Sequence, residues 1–332
     1  MDIRRTSIVA LVLVTAFALV MAGCEAAGAG GDDTSGTSDD SGDTGILKLS
    51  LTDAPVDDEA VEGVWIKIDS VQYNLNDEWQ DMGGFEGPQS YDLLELTGGE
   101  SALLGNLVLP AGEYTQIRFM LDVAETGQGT PSNPGSYVEI DDDGDDSTDP
   151  VQEPLFVPSA GQSGYKAQVQ GEDGSFTVPA NGEVAITADF DVRQALVKTG
   201  GPNSPHQRYI LKPVLHLIVE DQAGSIEGSV INEAGADSLV VFAYEDGEFT
   251  SDEAADPTGE ESRFPNAVTS AAATDTNGDV ELDSYVLPFL AAGTYDLVVA
   301  QYSSDGTYVT GSGDAVDAED IAVSAGETTT VD

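Results

Sequence analysis

From Ile46 onward the chain is written in short runs that alternate apolar and polar residues, broken by Gly, Pro, Asn and Asp. This two-residue period limits the fold more than any other feature. Successive side chains on a strand point to opposite faces, so Leu47-Lys48-Leu49-Ser50-Leu51 buries one face and wets the other. Val64-Trp65-Ile66-Lys67-Ile68, Tyr114 to Leu121, Val184 to Phe190 and Tyr209 to Val219 read as strands in the same way. No stretch carries a helical apolar period with caps. The expected fold is all-β, as two antiparallel β-sandwich domains of immunoglobulin or transthyretin type.

The start of the chain has a different texture. Arg4 and Arg5 precede an apolar run from Ile8 to Met21, and Met21-Ala22-Gly23 gives the small residues a signal peptidase needs before Cys24. The run falls short of the roughly 20 residues of a spanning helix. Residues 1–23 are expected to be a lipoprotein signal peptide and Cys24 the lipid attachment point, which makes a bilayer the first partner. Cys24 is the only cysteine, so the sequence offers no intrachain disulfide and no cysteine pair for redox work. Glu25 to Thr44 hold almost only Gly, Ala, Ser, Thr and Asp, so residues 24–45 are expected to be a disordered acidic tether.

Charge narrows the partners further. Lys and Arg number 11 against 61 Asp and Glu, a net charge of −50. Nucleic acid is excluded as a partner, because binding it rests on neutralising phosphates with cations. Carboxylates spread along the whole chain read as a halophilic surface adaptation, with oxygen ligands for a hard cation as the other reading.

A boundary is expected where the apolar strand ending near Asp221 gives way to Gly224-Ser225-Ile226-Glu227-Gly228-Ser229-Val230, giving domains 46–222 and 224–332. Basic residues thin out there: Arg263 is the only Lys or Arg after Lys212. The two parts share Leu109-Pro110-Ala111-Gly112-Glu113-Tyr114 and Leu290-Ala291-Ala292-Gly293-Thr294-Tyr295, each read as a tight turn with a tyrosine plugging the sandwich edge, its hydroxyl in water.

Leu51-Thr52-Asp53-Ala54-Pro55, Tyr91-Asp92-Leu93-Leu94-Glu95-Leu96, Leu109 to Arg118, Val157-Pro158-Ser159, Gln162 to Lys166, Asp189-Phe190-Asp191 and Leu211 to Leu215 occur in that order. Over residues 46–220 the chain thereby resembles the bacterial lipoprotein family known as domain of unknown function 4382. The resemblance implies an envelope-anchored β-sandwich and brings no established activity. Gln194-Ala195 stands where that family tends to Lys-Ser, and His216 where Arg is commoner. Gly224 to Val230, Thr274 to Leu282 and Ala292 to Leu297 make the second part similar to the carboxypeptidase regulatory-like, transthyretin-like group, a carbohydrate-binding-like fold.

Candidate sites are few. The chain has two histidines and lacks Gly-x-Ser-x-Gly, His-Glu-x-x-His, Walker loops and Cys-x-x-Cys, so no catalytic residue is assigned. His206 reads as a surface histidine and His216 as a packed one. Asp141, Asp143 and Asp145 space carboxylates as a calcium loop begins, but lack the glycine and the closing glutamate in register. Asp275, Asn277 and Asp279 share the spacing and coincide with an Asn-Gly turn. Calcium is therefore the one cofactor considered. Trp65, on a polar strand face with Lys67 and Asp69, is a candidate binding residue that only Trp79 can join. Ser159, Gln162 and Lys166 form a small polar loop, in which Lys166 is expected to pair with Asp189 or Asp191, an anionic ligand being the alternative. The expected function is a non-enzymatic binding or adhesion module in the bacterial envelope, taking a surface polysaccharide or protein ligand. A structural spacer and a carboxylate-dependent hydrolase are the alternatives.

Overall fold

Alternation resolves into strands throughout the computed structural model. It describes residues 43–53, 61–75, 78–123, 135–141, 150–158, 163–169, 174–199, 208–212, 214–232, 236, 238–255, 263–274, 282–303 and 307–331.

The strands up to Val219 are β1 (Thr44–Thr52), β2 (Val61–Leu75), β3 (Glu78–Asp81), β4 (Gln89–Asp92), β5 (Ala102–Pro110), β6 (Gly112–Tyr114), β7 (Gln116–Leu121) and β8 (Tyr137–Ile140). They continue as β9 (Val151–Phe156), β10 (Tyr165–Val169), β11 (Phe176–Val178), β12 (Glu183–Asp189), β13 (Leu196–Thr199), β14 (Arg208–Leu211) and β15 (His216–Val219). All but β6 and β11 join one sheet, ordered β13-β14-β9-β8-β2-β7-β10-β15-β12-β1-β5, with β3 and β4 also on β2. One face of each central strand feeds a single core, including Leu49, Ile66, Ile68, Phe119, Tyr165, Ala188 and Leu217. Gly45 sits at the start of β1, where a Cβ would lie 2.3 Å from the Pro179 carbonyl oxygen and only glycine fits.

The strands from Ala223 onward, Thr310–Gly313 excepted, form two smaller sheets. They are β16 (Ala223–Ile231), β17 (Ser238–Glu245), β18 (Thr269–Ala273), β19 (Leu282–Ala291), β20 (Gly293–Tyr302), β21 (Thr310–Gly313), β22 (Ala318–Val323) and β23 (Thr328–Val331). One sheet runs β19-β16-β23 and the other β18-β17-β20-β22. Ile226, Val241, Leu287 and Leu297 belong to a core that draws on both sheets. Phe242, Tyr244, Phe264 and Val298 form a second cluster on the other face of β17 and β20. That double burial accounts for the unbroken apolar run Leu239 to Ala243.

The fold is all-β as expected, with three corrections. The sheets are mixed, because β1 pairs parallel with β12, β10 with β15, β9 with β14 and β16 with β23. Long connections, which local alternation does not register, bring these strands side by side. Tyr114 to Leu121 is two strands: Tyr114 pairs with Phe176 on β11, while β7 pairs with β2 and β10. Tyr209 to Val219 is also two strands: β14 ends at Leu211 and pairs with β9 and β13, while β15 begins at His216 and pairs with β12 and β10.

The two repeated turns end alike. Tyr114 donates its hydroxyl to the Pro110 carbonyl at 2.7 Å, and Tyr295 donates to that of Ala291 at 2.9 Å. Both rings are buried, so each hydroxyl closes its own corner instead of reaching water.

Candidate functional site

The outward face of the large sheet is polar where β3, β2, β7 and β10 lie side by side. Register puts Asp81 opposite Gln72, Gln72 opposite Arg118 and Arg118 opposite Lys166, a row across four strands. Two residues along, Gln116 stands opposite Gln168 and Trp79 opposite Asn74. The half-buried Trp79 ring reaches over the row, its centre 4.3 Å from the Arg118 guanidinium carbon and 5.7 Å from Lys166 Nζ. Gln72 fixes the arrangement: its Oε1 accepts from Arg118 Nε at 2.6 Å, and its Nε2 donates to Asp81 Oδ1 at 2.7 Å. Arg118 also donates to the Ser163 carbonyl at 3.1 Å. Desolvation pushes the guanidinium below its ordinary pKa, with Asp81 opposing.

Like charges directly opposite on neighbouring strands cost stability. Elsewhere Lys48, Lys67 and Arg193 each take a carboxylate, yet among the described residues neither Arg118 nor Lys166 forms an ion pair. An aromatic face supplies their partner in a chain with 61 acids available.

Lys166 therefore does not pair with Asp189 or Asp191; it is exposed on the outward face of β10, and those carboxylates are buried. Ser159 and Gln162 lie outside the described residues. Trp65 shares its face with Lys67 and Asp69, as expected, but it is engaged within the sheet. Its ring stacks on Tyr137 with centres 5.9 Å apart, and Nε1 donates to Glu139 at 3.1 Å. It does not share a site with Trp79, which lies over β7 and β10.

Buried carboxylates serve the backbone. Asp189 Oδ1 accepts from the Asp191 N–H at 3.2 Å, Asp191 Oδ1 from the Gln194 N–H at 3.3 Å, and Asp53 Oδ1 from the Val192 N–H at 2.8 Å. Burial pushes Asp189 up to about 7, with the nearby Asp191 charge adding to the effect. His216 stands opposite Asp189 on β15, and burial pushes its imidazole below the ordinary value. Arg193 lies 3.6 Å from Asp191 and donates to the carbonyls of Phe264 at 2.7 Å and Ala267 at 3.2 Å.

Asp141 is at the end of the described stretch after β8, and Cys24, Asp143, Asp145, Asp275, Asn277, Asp279 and His206 lie outside the described residues. Among the described residues, no cluster of three or more His, Cys, Asp or Glu is placed to hold a metal ion. No described helix is long and apolar enough to cross a membrane.

Alternation alone marks Arg118 and Lys166 as outward-facing. That β7 and β10 are neighbours, and that the β2–β3 hairpin brings Trp79 over them, is tertiary information; the Trp79 platform was therefore missed by local pattern.

No curated protein matches the chain. Among solved structures, a leucine-rich repeat protein from Bacteroides thetaiotaomicron is 13% identical with a TM-score of 0.22, over 87% of this chain and 26% of that one. The chain thus spans about a quarter of that protein's length. Two candidate adhesins from Bacteroides ovatus are 12% and 8% identical, with TM-scores of 0.17 and 0.19. The first match covers 80% of this chain and 74% of that one, the second 91% and 98%. At these scores the likenesses add nothing to the functional reading. The model of the family described as domain of unknown function (DUF4382) matches residues 44–213, more than half of the chain, and the chain belongs to that family.

Proposed function

We propose that this chain is a lipid-anchored envelope protein whose strands present a binding face and perform no turnover. The observation that carries the binding reading is the Trp79 ring set over Arg118 and Lys166, a half-exposed aromatic beside two cations that take no carboxylate among the described residues. A non-catalytic role is supported by the use of Asp53, Asp189 and Asp191 as acceptors for main-chain N–H groups, which ties the buried acids to the fold. The anchor rests on Arg4, Arg5, the apolar run and Cys24. Residues 24–45 are proposed as the tether that holds the binding face off the membrane, and residues 224–332 as a carboxypeptidase regulatory-like module that follows it.

Two measurements test this. Mass spectrometry of the mature amino terminus is expected to find Cys24 acylated; an unmodified Cys24 or a retained Met1 contradicts the anchor. Exposing the purified chain to arrays of surface polysaccharides and peptides is expected to give saturable binding with ligand recovered intact. Cleaved ligand points instead to the hydrolase reading, and no saturable ligand to a structural spacer.

A further inference from the structure

Resting on that reading, we infer that the Trp79 face takes a saccharide bearing a carboxylate, a uronic-acid unit of a polysaccharide. Three features lead there. An indole ring half open to solvent offers a flat apolar surface on which the C–H face of a pyranose stacks, and Trp keeps a polar edge at such a boundary. Lys166, exposed and without an ion pair among the described residues, projects beside that ring with up to three N–H donors. Gln116 and Gln168 stand next to Arg118 and Lys166 on the same face, adding amide groups that both donate and accept, as sugar hydroxyls require.

Position favours this ligand over a folded protein partner. Of the strands in the row, β2, β7 and β10 are each paired on both sides, so β7 and β10 offer no edge for an added strand. A ring, two cations and two amides match the size of one or two sugar units, and the aromatic is already held in place by Arg118.

The negative remainder of the surface does not forbid an anion here. Its repulsion is screened over a Debye length of about 8 Å at physiological ionic strength. Within the row, Arg118 and Lys166 outnumber the one carboxylate, Asp81. A short saccharide with one carboxylate per sugar unit is accordingly favoured over a long polyanion that spans the acidic surface.

The test is isothermal titration of the full chain with trigalacturonate and with its neutral counterpart, galactotriose, at physiological ionic strength. Trigalacturonate is expected to bind saturably, with galactotriose at least about tenfold weaker. Lys166→Gln, an exposed change that spares the core, is expected to remove most of that difference. Trp79→Ala is expected to weaken both sugars, with Trp79→Phe recovering part of the loss if the alanine variant melts early. Equal affinity for the two sugars, both sensitive to Trp79→Ala, overturns the carboxylate inference while leaving the binding face standing. Affinity for either sugar unchanged by Trp79 and Lys166 substitutions, or no binding of either, overturns the proposed site. In that case saturable binding of another ligand on the arrays keeps the broader reading alive, and its absence ends both.

Discussion

Arg193 donates its guanidinium to the Phe264 main-chain oxygen at 2.7 Å, joining the turn after β12 to the segment before β18. Gln194 reinforces it by donating to the Ala267 oxygen at 3.1 Å, and Arg193 lies over the Phe242 ring at 5.6 Å. A cation this deeply buried is tolerated because carbonyl oxygens, an aromatic face and Asp191 surround it.

Replacing it by Met removes the charge but leaves Asp191 buried and the carbonyls short of donors. Arg193→Met is expected to destabilise the chain by about 3–5 kcal/mol, read as a shift in the urea midpoint. The same contact bears on the 46–222 and 224–332 division. Residues 46–222 expressed alone lose the acceptors of Arg193, and their melting temperature is expected to fall below that of the full chain. Equal midpoints contradict a coupling role for Arg193.

Asp189 makes stability depend on pH in an unusual direction. Burial raises its pKa from 3.8 to about 7, so the folded chain keeps a proton that the unfolded chain releases in that interval. The stability this group contributes is complete below the unfolded value and is lost as pH rises through the window. Its slope is at most about 1.4 kcal/mol per pH unit. Urea midpoints measured across this window are expected to fall faster for the native chain than for Asp189→Asn, whose amide does not ionise. Parallel profiles contradict the assignment.

Tyr114→Phe and Tyr295→Phe each delete one hydroxyl that caps a corner, leaving the ring in place. Each is expected to cost about 1 kcal/mol, the ordinary worth of such a hydrogen bond. Calorimetric melting checks it, and a neutral change at either tyrosine shows that its corner closes without the bond.

Net charge sets a further expectation. With −50 charges repelling one another, raising potassium chloride from 0.1 to 1 M shortens the Debye length from about 10 to 3 Å and is expected to raise the melting temperature steadily. Millimolar calcium is expected to do no more than millimolar magnesium. A gain specific to calcium, abolished by changing Asp141, Asp143 and Asp145 to Asn, restores the acidic loop as a metal site.

Alternation carried the fold class because it is a local property. Leu47, Leu49 and Leu51 are all buried, and the Val64–Ile68 strand turns Trp65 and Lys67 to the opposite face from Ile66. Pairing is not local: the parallel contact of β1 with β12 joins residues far apart in the chain, and nothing in either strand names the other. The repeated turns were legible as turns, but the fate of each tyrosine hydroxyl depended on a carbonyl brought near by the turn itself. Trp65 and Trp79 were the two aromatic candidates by composition; neighbouring strands then committed Trp65 to Tyr137 and Glu139 and set Trp79 over two cations.

The most direct measurement is a hydrogen-exchange footprint of the full chain with and without saturating trigalacturonate. Slowed exchange confined to Glu78–Asp81, Gln116–Leu121 and Tyr165–Val169, and absent from Lys166→Gln, is the expected result. Protection centred on other strands, or the same protection in the Lys166→Gln chain, contradicts a binding face built on Trp79.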